Sequence, residues 1–417
     1  MLKGFAYDIS VNSYYIVQPL ILSVSVSNTY RNPVIQFSTS IEMKLLTLNL
    51  FLRIFSRDKI PPFQEWLKKG QVKSAKKMVP LSVYQRERNI STDHLRKLHD
   101  HIVNRNEYLQ RFFNTSLLVK EIQITENPMP RKHLDNNTSV NYKNIIRNLH
   151  FRDILQNTKS GFSGLPSFLD VLLDLYLHDI IDYKIVTPSA LFYIEKGRIG
   201  SVFSSFFFRA SLMNPYLVLS LNHNVLNGTK IFTPTLGWSS YAYGFAECPQ
   251  VKEYVGVDVI PMVCKKTADF LGSQYPQLEH KIFCQPSESL LTNQSFMTRY
   301  KNHFDVVFFS PPYYELELYP GKNQSTTVYT SYNEWLEGYW KRTLQLCQHV
   351  LQKNGKLCYI LSSGGGPHTS NILQDMNTIT KEMFSFKTSI PMYNKNVHVT
   401  AKDHRETAEK ILIFTRA

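Results

Sequence analysis

Hydrophobic positions along this chain follow two different rhythms. From about residue 155 onward, short apolar runs alternate with longer stretches in which apolar residues recur at helical spacing. The short runs are Lys230-Ile231-Phe232, Tyr254-Val255-Gly256-Val257, Lys281-Ile282-Phe283, Asp305 to Phe309, Lys356 to Leu361 and Lys410 to Phe414, and each reads as a strand. Between them Ile260 to Leu271 and Tyr332 to Leu351 read as helices; ahead of them Leu165 to Ile181 and Val202 to Met213 read as apolar helices. Strands alternating with helices predict an α/β layer fold. Before residue 155 the pattern is polar and basic. Met43 to about Lys77 mixes apolar residues with the paired bases Lys68-Lys69 and Lys76-Lys77, and Ser91 to Phe113 reads as one polar helix carrying Arg96, Lys97, Arg105 and Arg111. Thr125 to Val140, rich in Asn, Pro and Thr, reads as a loop or linker, and Ile16 to Val26 as a buried strand or short helix. The expected division is a basic, mostly helical region over residues 1–155 and an α/β domain over 156–417, with Met43 an equally good start for the first.

Length and composition fit that division. A chain of 417 residues is long enough for two cores, and its 43% hydrophobic and 19% charged residues are ordinary for a globular protein. A net charge of +14 is not ordinary, and it points to a polyanionic partner such as nucleic acid or an anionic membrane surface. Between Lys44 and Lys159 there are 22 Lys and Arg against 10 Asp and Glu, so most of the excess sits in the first region. The five cysteines, Cys248, Cys264, Cys284, Cys347 and Cys358, form no C-x-x-C pair, which suits a reducing compartment and argues against a zinc site. Met1 to Asp8 has no signal-peptide character and no run has the length of a membrane span, so an intracellular protein is expected.

The richest chemistry lies in Phe304-Asp305-Val306-Val307-Phe308-Phe309-Ser310-Pro311-Pro312-Tyr313, where a buried-strand run empties into a stiff polar loop ending on an aromatic ring. Two consecutive prolines fix φ and carry no N–H, which leaves carbonyls pointing outward. Ser310 Oγ and the Pro311 carbonyl are candidate acceptors for the hydrogens of an exocyclic amine, whose lone pair is delocalised into its ring. Pro312 stiffens the loop, and Tyr313 offers a flat face to a base taken out of its stack. The four letters alone fit an ordinary Pro-Pro turn; their companions along the chain favour chemistry. Ile231 to Ser240 follows a strand and opens a helix, with Thr233, Thr235, Leu236 and Gly237 placed where open α/β sheets bind nucleotide-like ligands, and Gly237 allowing close backbone approach. The next strand ends on Asp258, able to accept both hydroxyls of a ribose. After the third strand, Cys284-Gln285-Pro286-Ser287-Glu288 could hold an adenine ring through Ser287 or simply cap a helix there. Phe206-Phe207-Phe208-Arg209 reads as core packing near the cofactor, Ser363 to His368 as a rim loop without the ending of a nucleotide-hydrolase cradle, and His398 and His404 as isolated surface histidines.

Together these residues resemble the S-adenosylmethionine-dependent amino-methyltransferases of DNA. The closer likeness, through Ser310-Pro311-Pro312-Tyr313-Tyr314-Glu315-Leu316-Glu317 and Thr330-Ser331-Tyr332-Asn333-Glu334-Trp335-Leu336-Glu337, is to the phage and large-DNA-virus type, and it covers roughly residues 200–417. The resemblance implies a doubly wound, Rossmann-like class I methyltransferase sheet, S-adenosylmethionine as cofactor, no metal, and methyl transfer to cytosine N4 or adenine N6. Two positions depart from the family's pattern: Thr233 stands where an acid is usual and Ser239 where a second glycine is usual. The donor's ammonium group then falls to backbone carbonyls or to Asp305. The serine form of the loop tilts the target towards cytosine. About 70 residues separate the cofactor loop from the catalytic loop, which leaves no room for a recognition insert, so contact with DNA is expected from the basic region Lys44–Lys159. An RNA adenine methyltransferase and an inactive nucleic-acid-binding scaffold are the alternatives.

Overall fold

The computed structural model describes residues 45–74, 77–162, 166–369, 371–394 and 405–417. Seven strands build one sheet: β1 Lys230–Thr233, β2 Glu253–Asp258, β3 Glu279–Cys284, β4 Phe304–Phe309, β5 Leu351–Ser362, β6 Ser385–Asn394 and β7 Arg405–Thr415. Their order across the sheet is β3-β2-β1-β4-β5-β7-β6. β1 runs parallel to β2 and β4, β2 to β3, and β4 to β5, whereas β7 is antiparallel to both β5 and β6. The central strands are continuous apolar runs because both faces are covered: Ile231, Phe232, Val307, Phe308 and Phe309 are fully buried. Helices Ser240–Ala246, Pro261–Gln274, Arg342–Val350 and Ile372–Met383 accompany the sheet. Strand order reverses direction between β1 and β4, so the loops after β1 and β4 open into a shared crevice at the carboxyl ends of the strands.

All six sequence-expected strands are present, and the differences lie where periodicity cannot see a break. Ser91 to Phe113 is two helices, Thr92–Val103 and Arg105–Ser116, hinged at Asn104, the first capped by the Ser91 hydroxyl accepting from His94 N. Leu165 to Ile181 is a helix, Phe168–Leu177, then a left-handed Asp179 (φ 55°) and a strand, Ile180–Asp182. The helix expected over Val202 to Met213 spans Ile199–Phe206, and the chain beyond it as far as Asn214 is irregular. Tyr332 to Leu351 starts from a Ser331/Glu334 capping box and passes through a wide π-helical turn, Leu336–Lys341. Thr125 to Val140 is a loop with one short turn of helix. The sequence reading had no place for β6 or for helix Ile372–Met383.

The division at residue 155 marks a change of composition rather than a change of core. Gln71–Ser74 pairs antiparallel with Lys77–Pro80 and parallel with Ile180–Asp182, so one small sheet uses chain from both sides of the expected boundary. Arg57 forks onto both carboxylate oxygens of Asp179 at 2.9 and 3.0 Å. The Ile122 carbonyl accepts from Tyr243, the Leu149 carbonyl from Lys266, and His150 meets Ser239, so the helical region is bonded directly to the turn and helices that follow β1 and β2. Ile16 to Val26, His398 and His404 lie outside the described residues. Among the described residues no helix is long and apolar enough to cross a membrane.

Candidate active site

The crevice is a cavity of about 380 Å³ at the carboxyl ends of β1, β2, β3, β4 and β5, walled on its far side by Asn136 and Ser211 to Met213. Thr235, Gly237, Asp258, Ser287, Ser310, Pro311, Pro312 and Tyr313 all line it, although they are spread over about 80 positions of sequence. Its size is within the range of small-ligand sites.

After β1 the chain turns through three successive left-handed residues, Gly237 (φ 52°), Trp238 (φ 58°) and Ser239 (φ 70°). Only glycine enters this conformation without strain, and at Gly237 a Cβ would also lie 2.3 Å from the Tyr241 ring. Ser239 is held there by side-chain bonds: its hydroxyl is 2.8 Å from His150 Nε2 and 2.6 Å from Thr267 Oγ1, both buried. Burial keeps His150 neutral by pushing its pKa down to about 3, with the nearby Lys266 charge acting the same way. Asp258 ties the turn to β2, accepting from Leu236 N at 3.2 Å and from Ile260 N at 3.1 Å. Burial raises its pKa and these backbone N–H groups pull it down. A carboxylate has about four lone-pair sites, so two bonds leave capacity for ribose hydroxyls.

Ser310 is oriented through three atoms. Its N–H donates to Tyr241 Oη at 3.1 Å, and its carbonyl faces the same oxygen at 3.5 Å. Its hydroxyl donates to the Ile360 carbonyl on β5 at 3.1 Å. With the proton committed to Ile360, the Oγ lone pairs are left as acceptors at the cavity wall. No described hydrogen bond uses the Pro311 carbonyl. The Tyr313 hydroxyl accepts from Ser362 N at 3.1 Å, which fixes its ring on the same wall, and burial raises its pKa. Ser287 meets Thr343 at 3.4 Å, and the neighbouring Glu288 accepts from Tyr329 at 3.3 Å; both line the cavity.

Three expected site residues are not at the cavity. Thr233 is fully buried with its hydroxyl 2.7 Å from Tyr254 Oη, so its side chain is turned into the core and not into the cavity. Leu236 contributes its N–H to Asp258, while its side chain is buried and packs against Gly256. Asp305 is the clearest correction: it opens β4, the length of the strand (roughly 16 Å) away from Ser310. There its carboxylate accepts from Thr229 N at 2.9 Å, Thr229 Oγ1 at 2.6 Å and Lys230 N at 3.0 Å, clamping the start of β1. An ammonium group in the cavity is out of its reach.

Other lining residues had no site role in the sequence reading. Tyr241 is the link between halves of the site, its ring under Gly237 and its hydroxyl on Ser310. Glu317 accepts from Ser211 N at 3.0 Å and from Tyr319, and burial raises its carboxyl pKa. Glu409 reaches the cavity from β7, raised by burial and opposed by the charge of Lys143. Only the fold brings Tyr241 and Glu409 beside the Ser-Pro-Pro-Tyr loop, whereas Glu317 follows that loop directly in the chain.

The strand order, with β7 inserted antiparallel between β5 and β6, makes a doubly wound, Rossmann-like α/β sheet. No protein-family model and no curated protein sequence matches the chain. Among solved structures it is similar to TrmN from Thermus thermophilus (13% identity, TM-score 0.32), over 50% of this chain and 50% of that one. It is also similar to the N-methyltransferase NodS from Bradyrhizobium japonicum in complex with S-adenosyl-L-homocysteine (11% identity, TM-score 0.28), over 48% of this chain and 83% of that one. A third is precorrin-6y C5,15-methyltransferase from Geobacter metallireducens (9% identity, TM-score 0.32), over 49% and 88%. Likenesses this distant carry no argument about activity, which rests on the site itself.

Proposed function

We propose that the chain is an S-adenosylmethionine-dependent methyltransferase that acts on the exocyclic amine of a nucleic-acid base, cytosine N4 or adenine N6 in DNA. The observation that carries this reading is the Ser310 hydroxyl, which gives its only proton to the Ile360 carbonyl and so presents acceptor lone pairs beside the Pro311 carbonyl. Two adjacent acceptors with no strong base are what an amide-like amine needs: they hold its hydrogens and turn its nitrogen towards an electrophilic carbon. The cofactor fits the other half of the cavity by the same standard, since Asp258 keeps free acceptor capacity and Gly237 admits a close ligand. When bound there it supplies a sulfonium-activated methyl group. The chain's own part is positioning: Ser310 and Pro311 orient the amine, Tyr313 supports the base, and the buried walls exclude water. Held beside Asp258 and Gly237, the donor would supply its methyl group to the amine nitrogen with its sulfur as the leaving group, and the amine's surplus proton would leave to solvent. Lys and Arg of Lys44–Lys159 provide salt-dependent attraction for the polymer.

The test is incubation with methyl-labelled S-adenosylmethionine and separate DNA and RNA pools, followed by nucleoside mass spectrometry. Label on the amine of cytosine or adenine in DNA is expected. Label confined to RNA adenine would replace the polymer in this reading, and no label despite nucleic-acid binding would leave a scaffold.

A further inference from the structure

A second cavity, about 810 Å³, opens between helices Arg105–Ser116 and Ile199–Phe206. Arg111, Arg198 and Arg209 line it together with hydroxyls such as those of Ser116, Ser201 and Ser204, and no carboxylate does. None of the three arginines forms an ion pair among the described residues. Two are held by rings: Arg209 lies 5.4 Å from the centre of Phe168 and Arg111 lies 6.0 Å from that of Tyr108. The guanidinium of Arg147, bonded to the Ser116 carbonyl at 3.0 Å, adds a fourth positive charge near this wall. Clustered cations with no counter-charge repel one another, and hydroxyl donors among them complete the chemistry of an oxyanion site.

The two cavities share a strip of chain. Arg209 lines the second, and Ser211 to Met213 line the first. Two residues span at most about 7 Å, so an anion on Arg209 is within reach of a short run of sugar-phosphate backbone leading to a base in the first cavity. We infer that this arginine groove binds the phosphodiester backbone of the strand flanking the target base. The inference rests on the function proposed above, and it places decisive contacts at Arg198 and Arg209, outside the basic stretch Lys44–Lys159 that charge counting singles out.

Fluorescence anisotropy with fluorescein-labelled single-stranded DNA and RNA oligonucleotides, titrated at several salt concentrations, tests it. The comparison is between wild type, the groove variant Arg111→Gln/Arg198→Gln/Arg209→Gln, and a control of equal charge loss, Lys252→Gln/Lys301→Gln/Lys353→Gln, at exposed positions outside both cavities and outside Lys44–Lys159. Losing three phosphate contacts from a single strand lowers the salt slope by about 2. The groove variant is expected to show that change and at least a tenfold weaker affinity for whichever polymer is methylated. The control is expected to keep most of the slope, and both variants to retain S-adenosylhomocysteine binding by calorimetry. Should the triple variant lose that binding, Arg198→Glu at the exposed rim carries the same test, with at least a tenfold loss of affinity expected. An unchanged slope in the groove variant, or equal losses in groove and control, overturns the inference while methyl transfer stands. Wild-type protein that binds neither polymer and transfers no label overturns the function itself.

Discussion

Replacing Tyr241 by phenylalanine removes one oxygen and leaves the packing. The ring stays beneath Gly237 and edge-on to Phe308, 5.1 Å between centres. What is lost is the acceptor for Ser310 N–H at 3.1 Å, in a loop where water does not readily replace it. A buried donor left without a partner costs about 1–3 kcal/mol. Rotation of the catalytic loop to recover a bond would move Ser310 Oγ from its place against Ile360. At about 1.4 kcal/mol per factor of ten, the expected fall in single-turnover methyl transfer is about 10- to 100-fold. S-adenosylhomocysteine affinity, measured by calorimetry, should change by less than about twofold, because Asp258 and Ser287 are untouched. A double-mutant cycle with Ser310→Ala separates positioning from general damage: if Tyr241 acts through Ser310, the pair loses little more than Ser310→Ala alone. Strictly additive losses, or a defect only in cofactor affinity, would refute this account of Tyr241.

Gly237→Ala combines a left-handed backbone, about 1–2 kcal/mol for any L-residue, with overpacking against Tyr241 worth about 1–3 kcal/mol more. Denaturant unfolding should register a loss of that order, together with weaker cofactor binding; wild-type stability would show the loop to be unconstrained. Asp305→Ala should lower stability by about 2–4 kcal/mol by orphaning the Thr229 and Lys230 N–H groups, while leaving cofactor affinity unchanged. A large loss of affinity in a folded Asp305→Ala protein would restore Asp305 to the cofactor site. Burial, with Arg147 adding to it, pushes the pKa of Lys143 down to about 7. Between pH 7 and 10 the unfolded chain then holds a proton that the folded chain does not, so this group makes stability rise with pH over that window. Lys143→Met should flatten that rise in unfolding curves taken from pH 7 to 10, and an identical pH dependence would place the charged lysine in the folded state.

Much of this site is written in runs of adjacent residues. A turn, a carboxylate and a Pro-Pro loop each follow a strand, and a strand's carboxyl end is a place that periodicity alone can locate. That is why Gly237, Asp258, Ser287 and Ser310 to Tyr313 were legible, and why all line one cavity. The reading failed for Asp305 because a residue at the start of a strand and one at its end look equally close in sequence. For Thr233 it failed because nothing local reveals a buried partner such as Tyr254. Tyr241 and Glu409 were invisible for a further reason: each belongs to an element whose own pattern is complete without it, and only the fold brings it to Ser310. The same blindness to distant partners applies around residue 155, since strand Gln71–Ser74 finds its parallel partner about a hundred residues later.

The most direct measurement is single-turnover transfer of a radiolabelled methyl group from S-adenosylmethionine to the methylated polymer, by wild-type protein and by Ser310→Ala. If the Ser310 hydroxyl holds the amine, the rate should fall about 100-fold while cofactor affinity stays constant. Equal rates in the two proteins would contradict the role given to Ser310, and with it the chemistry proposed for this cavity.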